Sequence, residues 1–202
     1  MSTGLHTIIE KRVKTSLKGD RWYNCNNFRL NEEYYLEHQG VNNKFKETDI
    51  EAITPILVTN DVYFQWSDGF GKLAGVRSSE DAFIEPRGLP EDCNITVKQY
   101  YNSNKWFHTP TWYSLKELID YVDDMTPPEY NEEDFGNKDS YNEYVKDYYN
   151  PLKDVLVKYI HDIVNYIYDY DFEYDSCNGL SRLHDLYKHN IDQYRIIIWF
   201  DN

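Results

Sequence analysis

The segment Tyr194-Arg-Ile-Ile-Ile-Trp-Phe200 shows no alternation between polar and apolar positions. A strand with one wet face alternates with period two, so this run predicts a central strand covered on both faces. It needs flanking strands, and the best candidate is Leu5-His-Thr-Ile-Ile-Glu-Lys-Arg-Val13, where His6, Ile8, Glu10 and Arg12 share one face and Thr7, Ile9, Lys11 and Val13 the other. Terminal segments that are tied down usually pair, which places both in one sheet. Lys18-Gly19-Asp20 reads as a turn and Arg21-Trp22-Tyr23 as the return strand of a hairpin.

Between these ends the helix signals are local. Ser114-Leu-Lys-Glu117 is a capping box, and Leu115, Leu118, Ile119 and Val122 follow at helical spacing, predicting a helix of about ten residues that stops before Pro127-Pro128. Ser140-Tyr-Asn-Glu143 is a second box, predicting a helix that ends near Asn150, with Pro151 in the first turn of the next. That next helix carries the longest apolar stripe: Leu152, Val155, Leu156, Tyr159, Ile160, Ile163 and Ile167. Short extended segments are expected at 53–58 and 62–66, short helices around 31–38 and 180–188, a tight loop at Asp68-Gly69-Phe70-Gly71 and an irregular loop at Pro86-Arg-Gly-Leu-Pro90. The sum is one α+β domain over residues 1–202. Its sheet is mixed or antiparallel and holds both terminal strands, helices pack on it, and residues 123–175 form an acidic loop and helical elaboration.

Charge narrows the function. The 202 residues carry 21 Lys and Arg against 35 Asp and Glu, a net of −14. Residues 1–60 net 0, residues 61–120 net −3 and residues 121–202 net −11, so the acidity belongs to the last two fifths. Such a surface repels a phosphate backbone, which disfavours direct nucleic-acid binding, and attracts a basic protein. The same acids could simply solvate an exposed face. Twenty tyrosines suit an interface. No run approaches the roughly 18 apolar residues of a membrane span, and Met1-Ser-Thr-Gly4 does not read as a secretory leader, so a cytoplasmic protein without membrane contact is expected. Cys25, Cys93 and Cys177 fit neither a disulfide framework nor a metal knuckle and read as reduced thiols. No metal or other cofactor is implied.

No familiar catalytic fingerprint is present, so the catalytic residues are unknown and an enzyme is the less favoured reading. Ligand-binding candidates are dispersed. His6 and Glu10 lie about 13 Å apart on one strand face. Asp68 stands between glycine-rich neighbours, Arg77 follows Leu-Ala-Gly-Val, and Arg87 sits in the Pro86–Pro90 loop, where its guanidinium suits phosphate or carboxylate. His108 could serve as acid, base or donor. His6, Glu10, Arg77, Arg87 and His108 are expected to converge on one pocket, against the alternative that Arg87 pairs with Glu10 or Asp92 as a brace. Glu132, Glu133 and Asp134 are the candidates for protein contact.

Gly4-Leu5-His6 with Glu10, Leu73-Ala-Gly-Val-Arg77, Pro86-Arg-Gly-Leu-Pro90, the stretch from His108 through Trp112 to Leu118, and Ile198-Trp-Phe-Asp201 together resemble a family of small bacteriophage and prophage proteins. Its members open on Asp-Ile-His and carry Arg-Gly-Leu-Pro-Asp and His-Ser-x-Ser-Trp-Leu segments. Here Glu91 intervenes before Asp92, Thr109-Pro110-Thr111 replaces the serine-rich stretch, and the opening Asp is missing, which argues against catalysis if that Asp is a ligand or base. The resemblance implies a viral setting, in the cytoplasm of an infected bacterium, and assigns no activity. The expected function is that of a phage accessory protein that binds and inhibits a host defence or nucleic-acid-processing protein with a basic surface. The alternative is a sponge for, or hydrolase of, a small phosphorylated signalling molecule.

Overall fold

A computed structural model of the chain describes residues 4–15, 19–25, 28–30, 53–55, 67–76, 82–168 and 190–201. The strands are β1 (Leu5–Thr15), β2 (Gly19–Asn24), β3 (Phe28–Leu30), β4 (Ile53–Pro55), β5 (His108–Ser114) and β6 (Tyr194–Phe200). The helices are α1 (Ser67–Ala74), α2 (Ile95–Ser103), α3 (Leu115–Asp123), α4 (Glu132–Phe135), α5 (Lys138–Tyr144) and α6 (Asn150–Tyr168), with a π-helical turn at Val145–Tyr149. The chain divides into two compact units. A sheet unit comprises Met1–Tyr63, Pro86–Ser114 and Asp192–Asn202, and a helical unit comprises Phe64–Glu85 and Leu115–Ile191.

The sheet unit is built on a four-stranded antiparallel sheet in the order β2-β1-β6-β5, so both terminal strands lie side by side at its centre. All seven residues of β6 are buried, as the missing alternation requires. Ile196, Ile197 and Ile198 are fully buried, each stabilising the fold by about 1.5–3 kcal/mol relative to exposure. One face of the sheet is closed by α2, whose Val97 joins Ile8, Ile197 and Trp199 in a core ringed by Leu89, Cys93, Tyr100, Tyr101, Phe107 and Trp112. The Pro86–Pro90 segment is irregular as expected, turned at Gly88 (φ +75°), whose N–H donates to the Pro110 carbonyl at 3.0 Å. It thereby covers the outer edge of β5, which would otherwise present unpaired backbone groups. β3 and β4 form a separate antiparallel pair.

In the helical unit, α3 occupies the span predicted by the first capping box, with Leu115, Leu118, Ile119 and Val122 buried. Two expectations are corrected. Asp68–Gly71 is not a tight loop but part of α1. Burial of Phe70, Leu73 and Ala74 outweighs the roughly 1 kcal/mol that each helical glycine costs, and the chain turns instead at Gly75 (φ +65°), whose N–H donates to Gly71. The second helix neither starts at Ser140 nor stops at Asn150. Asn137 is the N-cap, its side chain accepting the Ser140 N–H at 2.9 Å. The helix then runs from Lys138 to Tyr168 without a break. Pro151 has no N–H and its ring would crowd the carbonyl four residues back; the π turn at Val145–Tyr149 widens the spiral just ahead of it and lets the helix continue. The expected stripe is then found in α6, with Leu152, Leu156, Tyr159, Ile160 and Ile163 buried. Among the described residues no helix is long and apolar enough to cross a membrane. The expected helices around 31–38 and 180–188 and the strand at 62–66 lie outside the described residues, as does Cys177; Cys25 and Cys93 are free thiols.

Candidate functional site

Three polar centres stand out, two in the sheet unit and one in the helical unit. The first is built around Arg195 of β6, which stands directly opposite Glu10 of β1. Glu10 is 0% and Arg195 2% exposed. The guanidinium reaches Glu10 Oε2 through Nε at 2.7 Å and Nη2 at 2.6 Å, and Asp92 Oδ1 through Nη1 at 2.7 Å. Its plane lies over the Trp22 ring at 4.0 Å from the centroid, and the Trp22 indole N–H donates to Asp92 Oδ2 at 2.9 Å. The other Glu10 oxygen accepts the backbone N–H of Asn94, the N-cap of α2, at 2.6 Å. Burial pushes the Glu10 carboxyl up, against the pull of the Asn94 N–H and the Arg195 charge. The Asp92 carboxyl is also raised by what burial it has, but hydrogen bonds from Arg195 and Trp22 bring it below its ordinary value. These contacts clamp α2 and its leading loop to the sheet.

The second centre lies at the other end of the same face. His6 Nε2 faces Asp201 Oδ2 at 3.1 Å, and Asp201 Oδ1 accepts the Gly4 N–H at 2.6 Å. The imidazole packs against Phe107 at 4.6 Å and Trp199 at 5.9 Å between centroids. Burial holds its pKa below 6.5 despite the Asp201 hydrogen bond, so the ring is neutral at pH 7 and Nε2–H donates to the carboxylate. The histidine thereby closes β1 against the residue after β6.

Of the five residues expected to converge, His6, Glu10, Arg87 and His108 are described, and these four do not share one pocket. His6 and Glu10 share a face, as their spacing predicted, but Ile8 and the core beneath α2 lie between them. His108 stacks on Phe200 at 6.1 Å, whereas His6 stacks on Trp199. Consecutive strand residues point to opposite faces, so the two histidines are on opposite sides of the sheet. His108 Nδ1 meets Thr109 Oγ1 at 3.0 Å in the bulge where β5 shifts register, and Thr109 there has a positive φ of 48°. Arg87 is exposed, lies over the Trp112 ring at 4.8 Å and donates to the Trp112 carbonyl at 3.3 Å. The brace that the alternative reading gave to Arg87, on Glu10 or Asp92, is made on both by Arg195, which the sequence reading passed over because it sits inside an apolar strand. Asp68 lies in α1, and Arg77 lies outside the described residues.

The third centre is in the helical unit. Residues 123–154 hold ten Asp and Glu against Lys138, Lys146 and Lys153, a net of −7. Glu132, Glu133 and Asp134 make up most of α4, and neither α4 nor α5 buries a single residue. Both short helices are held by asparagine caps: Asn131 accepts the Glu133 N–H at 3.0 Å, and Asn137 caps α5. Lys153 is turned inward, donating to the carbonyls of Asp123 and Met125, so it does not offset the acids outside. A chain of aromatic contacts runs through the same surface: Tyr130 on Tyr141, Tyr141 on Phe135, Phe135 on Tyr144 and Tyr144 on Tyr148, with centroids 5.1–5.8 Å apart.

Beside this row lies a cavity of about 480 Å³, walled by Phe83, Phe135, Tyr144 and Tyr149 among others, with Asp134 and Lys72 contributing charge. Tyr149, at the end of the π turn, is 7% exposed, and its hydroxyl is buried without a hydrogen-bond partner. Burial pushes that phenol up to about 12, so it is neutral and able both to donate and to accept. Sequence reasoning singled out Glu132, Glu133 and Asp134 but missed Tyr149 and the cavity; the signal was Pro151, which forces the helix to widen beside Tyr149.

Comparison of the chain with protein-family models, with curated proteins and with solved structures finds no match.

Proposed function

We propose that this protein acts by binding, and that the acidic, aromatic surface of α4, α5 and the π turn docks on a basic surface of a partner protein. The observation that carries this reading is the composition of that surface. Two consecutive helices bury nothing, present a run of carboxylates, and carry aromatic rings in mutual contact, of the kind that dominates interface energetics. A chain that needed acids only for solubility has no use for aromatic rings among them. In the viral setting that the sequence resemblance implies, the partner is a host protein of defence or nucleic-acid processing, whose own anionic ligand makes its surface basic, and docking there inhibits it. The contacts of Glu10, Asp92, Arg195, His6 and Asp201 serve as clamps in the sheet unit, so they lend the phosphorylated-ligand alternative no support.

Surface plasmon resonance with a panel of lysine- and arginine-rich peptides, against neutral and acidic controls, tests the proposal. The basic peptides are expected to bind with on-rates that fall as salt rises. Replacing Glu132→Gln, Glu133→Gln and Asp134→Asn together should slow association several-fold and flatten the salt dependence. Equal binding of basic and neutral peptides, or an on-rate indifferent to both salt and the triple substitution, overturns it.

A further inference from the structure

We propose that the cavity of the helical unit is the anchor pocket of this docking surface, and that it receives one cationic side chain, arginine or lysine, from the basic partner. The inference rests on the docking reading and names the group recognised. Phe83, Phe135, Tyr144 and Tyr149 supply aromatic walls, whose negative faces attract a guanidinium or ammonium. Asp134 adds a carboxylate from the same acidic run that faces the solvent. At about 480 Å³ the space lies within the usual range of ligand pockets and holds a long side chain with its methylene stem against the rings. Lys72 is the countervailing charge, but it lies in the last turn of α1, where the negative end of that helix favours a cation.

The second observation is independent of charge. The Tyr149 hydroxyl is buried and makes no hydrogen bond, a costly state for a polar group inside a protein. A guanidinium or ammonium N–H donating to its oxygen removes that cost only in the complex. Its place at the end of the π turn suits such a role, since these turns recur at functional sites. Arginine is also the charged residue most enriched among side chains that anchor interfaces.

Met1 and Met125 are the two methionines of the chain, and Met125 lines the cavity, so the ¹³C-methyl signal of Met125 is a direct reporter. Titration with butylguanidinium or butylammonium should shift it saturably at millimolar concentration, whereas butyrate should leave it in place. Tyr149→Phe is expected to fold with a raised melting temperature, because the hydroxyl it removes is buried and bonds to nothing, yet to weaken butylguanidinium binding at least about tenfold. Asp134→Asn should weaken it in the same direction. A Met125 signal that does not move, or that moves equally with butyrate, overturns the pocket. If basic peptides bind the surface with salt dependence while Met125 stays fixed, the pocket falls and the docking reading stands. If butylguanidinium binds and no basic peptide does, the pocket is a site for a free small cation and the docking reading falls.

Discussion

Glu10 and Arg195 face each other across the two central strands and meet in a buried ion pair with contacts of 2.6 and 2.7 Å. The pair joins residues 185 apart in sequence and ties in the start of α2 through the Asn94 N–H.

Breaking this pair leaves a buried charge without compensation. Arg195→Met or Glu10→Leu should each cost about 3–5 kcal/mol, while the two combined should cost clearly less than the sum of the single changes. Urea unfolding of the four proteins in the cycle measures this. Single substitutions that cost under about 1 kcal/mol and add independently would show that the clamp is not what holds α2.

The His6 ring sets a pH dependence. Its pKa in the fold lies below 6.5 because burial disfavours the imidazolium, with the Asp201 bond working the other way. Below pH 6.5 the unfolded chain therefore binds a proton that the fold resists. The contribution is fully present above that pH and is lost as pH falls toward the folded value, by at most about 1.4 kcal/mol per unit. Stability curves between pH 7.5 and 5 should show the loss, and His6→Gln should flatten it. A slope unchanged by His6→Gln would assign the titration to another group.

The caps of the helical unit give a sharp local test. Asn137→Ala should cost about 1 kcal/mol, and Ser140→Ala almost nothing, because the asparagine side chain accepts the Ser140 N–H and the serine side chain is not the cap. The reverse order in thermal unfolding would restore the capping box read from Ser140-Tyr-Asn-Glu143.

What was legible in the sequence was whatever a single period encodes. The unbroken apolar run of β6 and the split faces of β1 were enough to pair the chain ends, and the Leu115, Leu118, Ile119, Val122 spacing placed α3 within a residue. The failures arose where a local rule met a tertiary contact. Gly69 and Gly71 suggested a loop, but Phe70 and Leu73 had a core to enter. Pro151 suggested a new helix, but a π turn absorbed it. For the polar residues, sequence showed which side of β1 His6 and Glu10 occupy. It did not show that β6 would supply Arg195 and that Asp201 would follow it as their partners, since those pairings exist only once the strands are in register.

The most direct measurement is an ¹⁵N NMR map of the amides perturbed by the tightest-binding arginine-rich peptide at low salt. The shifts are expected at Glu132, Glu133, Asp134, Tyr141 and Tyr144 and should shrink as salt is added. Shifts concentrated instead around Trp22, Arg87 and Trp112 of the sheet unit, with α4 and α5 unmoved, would contradict the assignment of the binding surface.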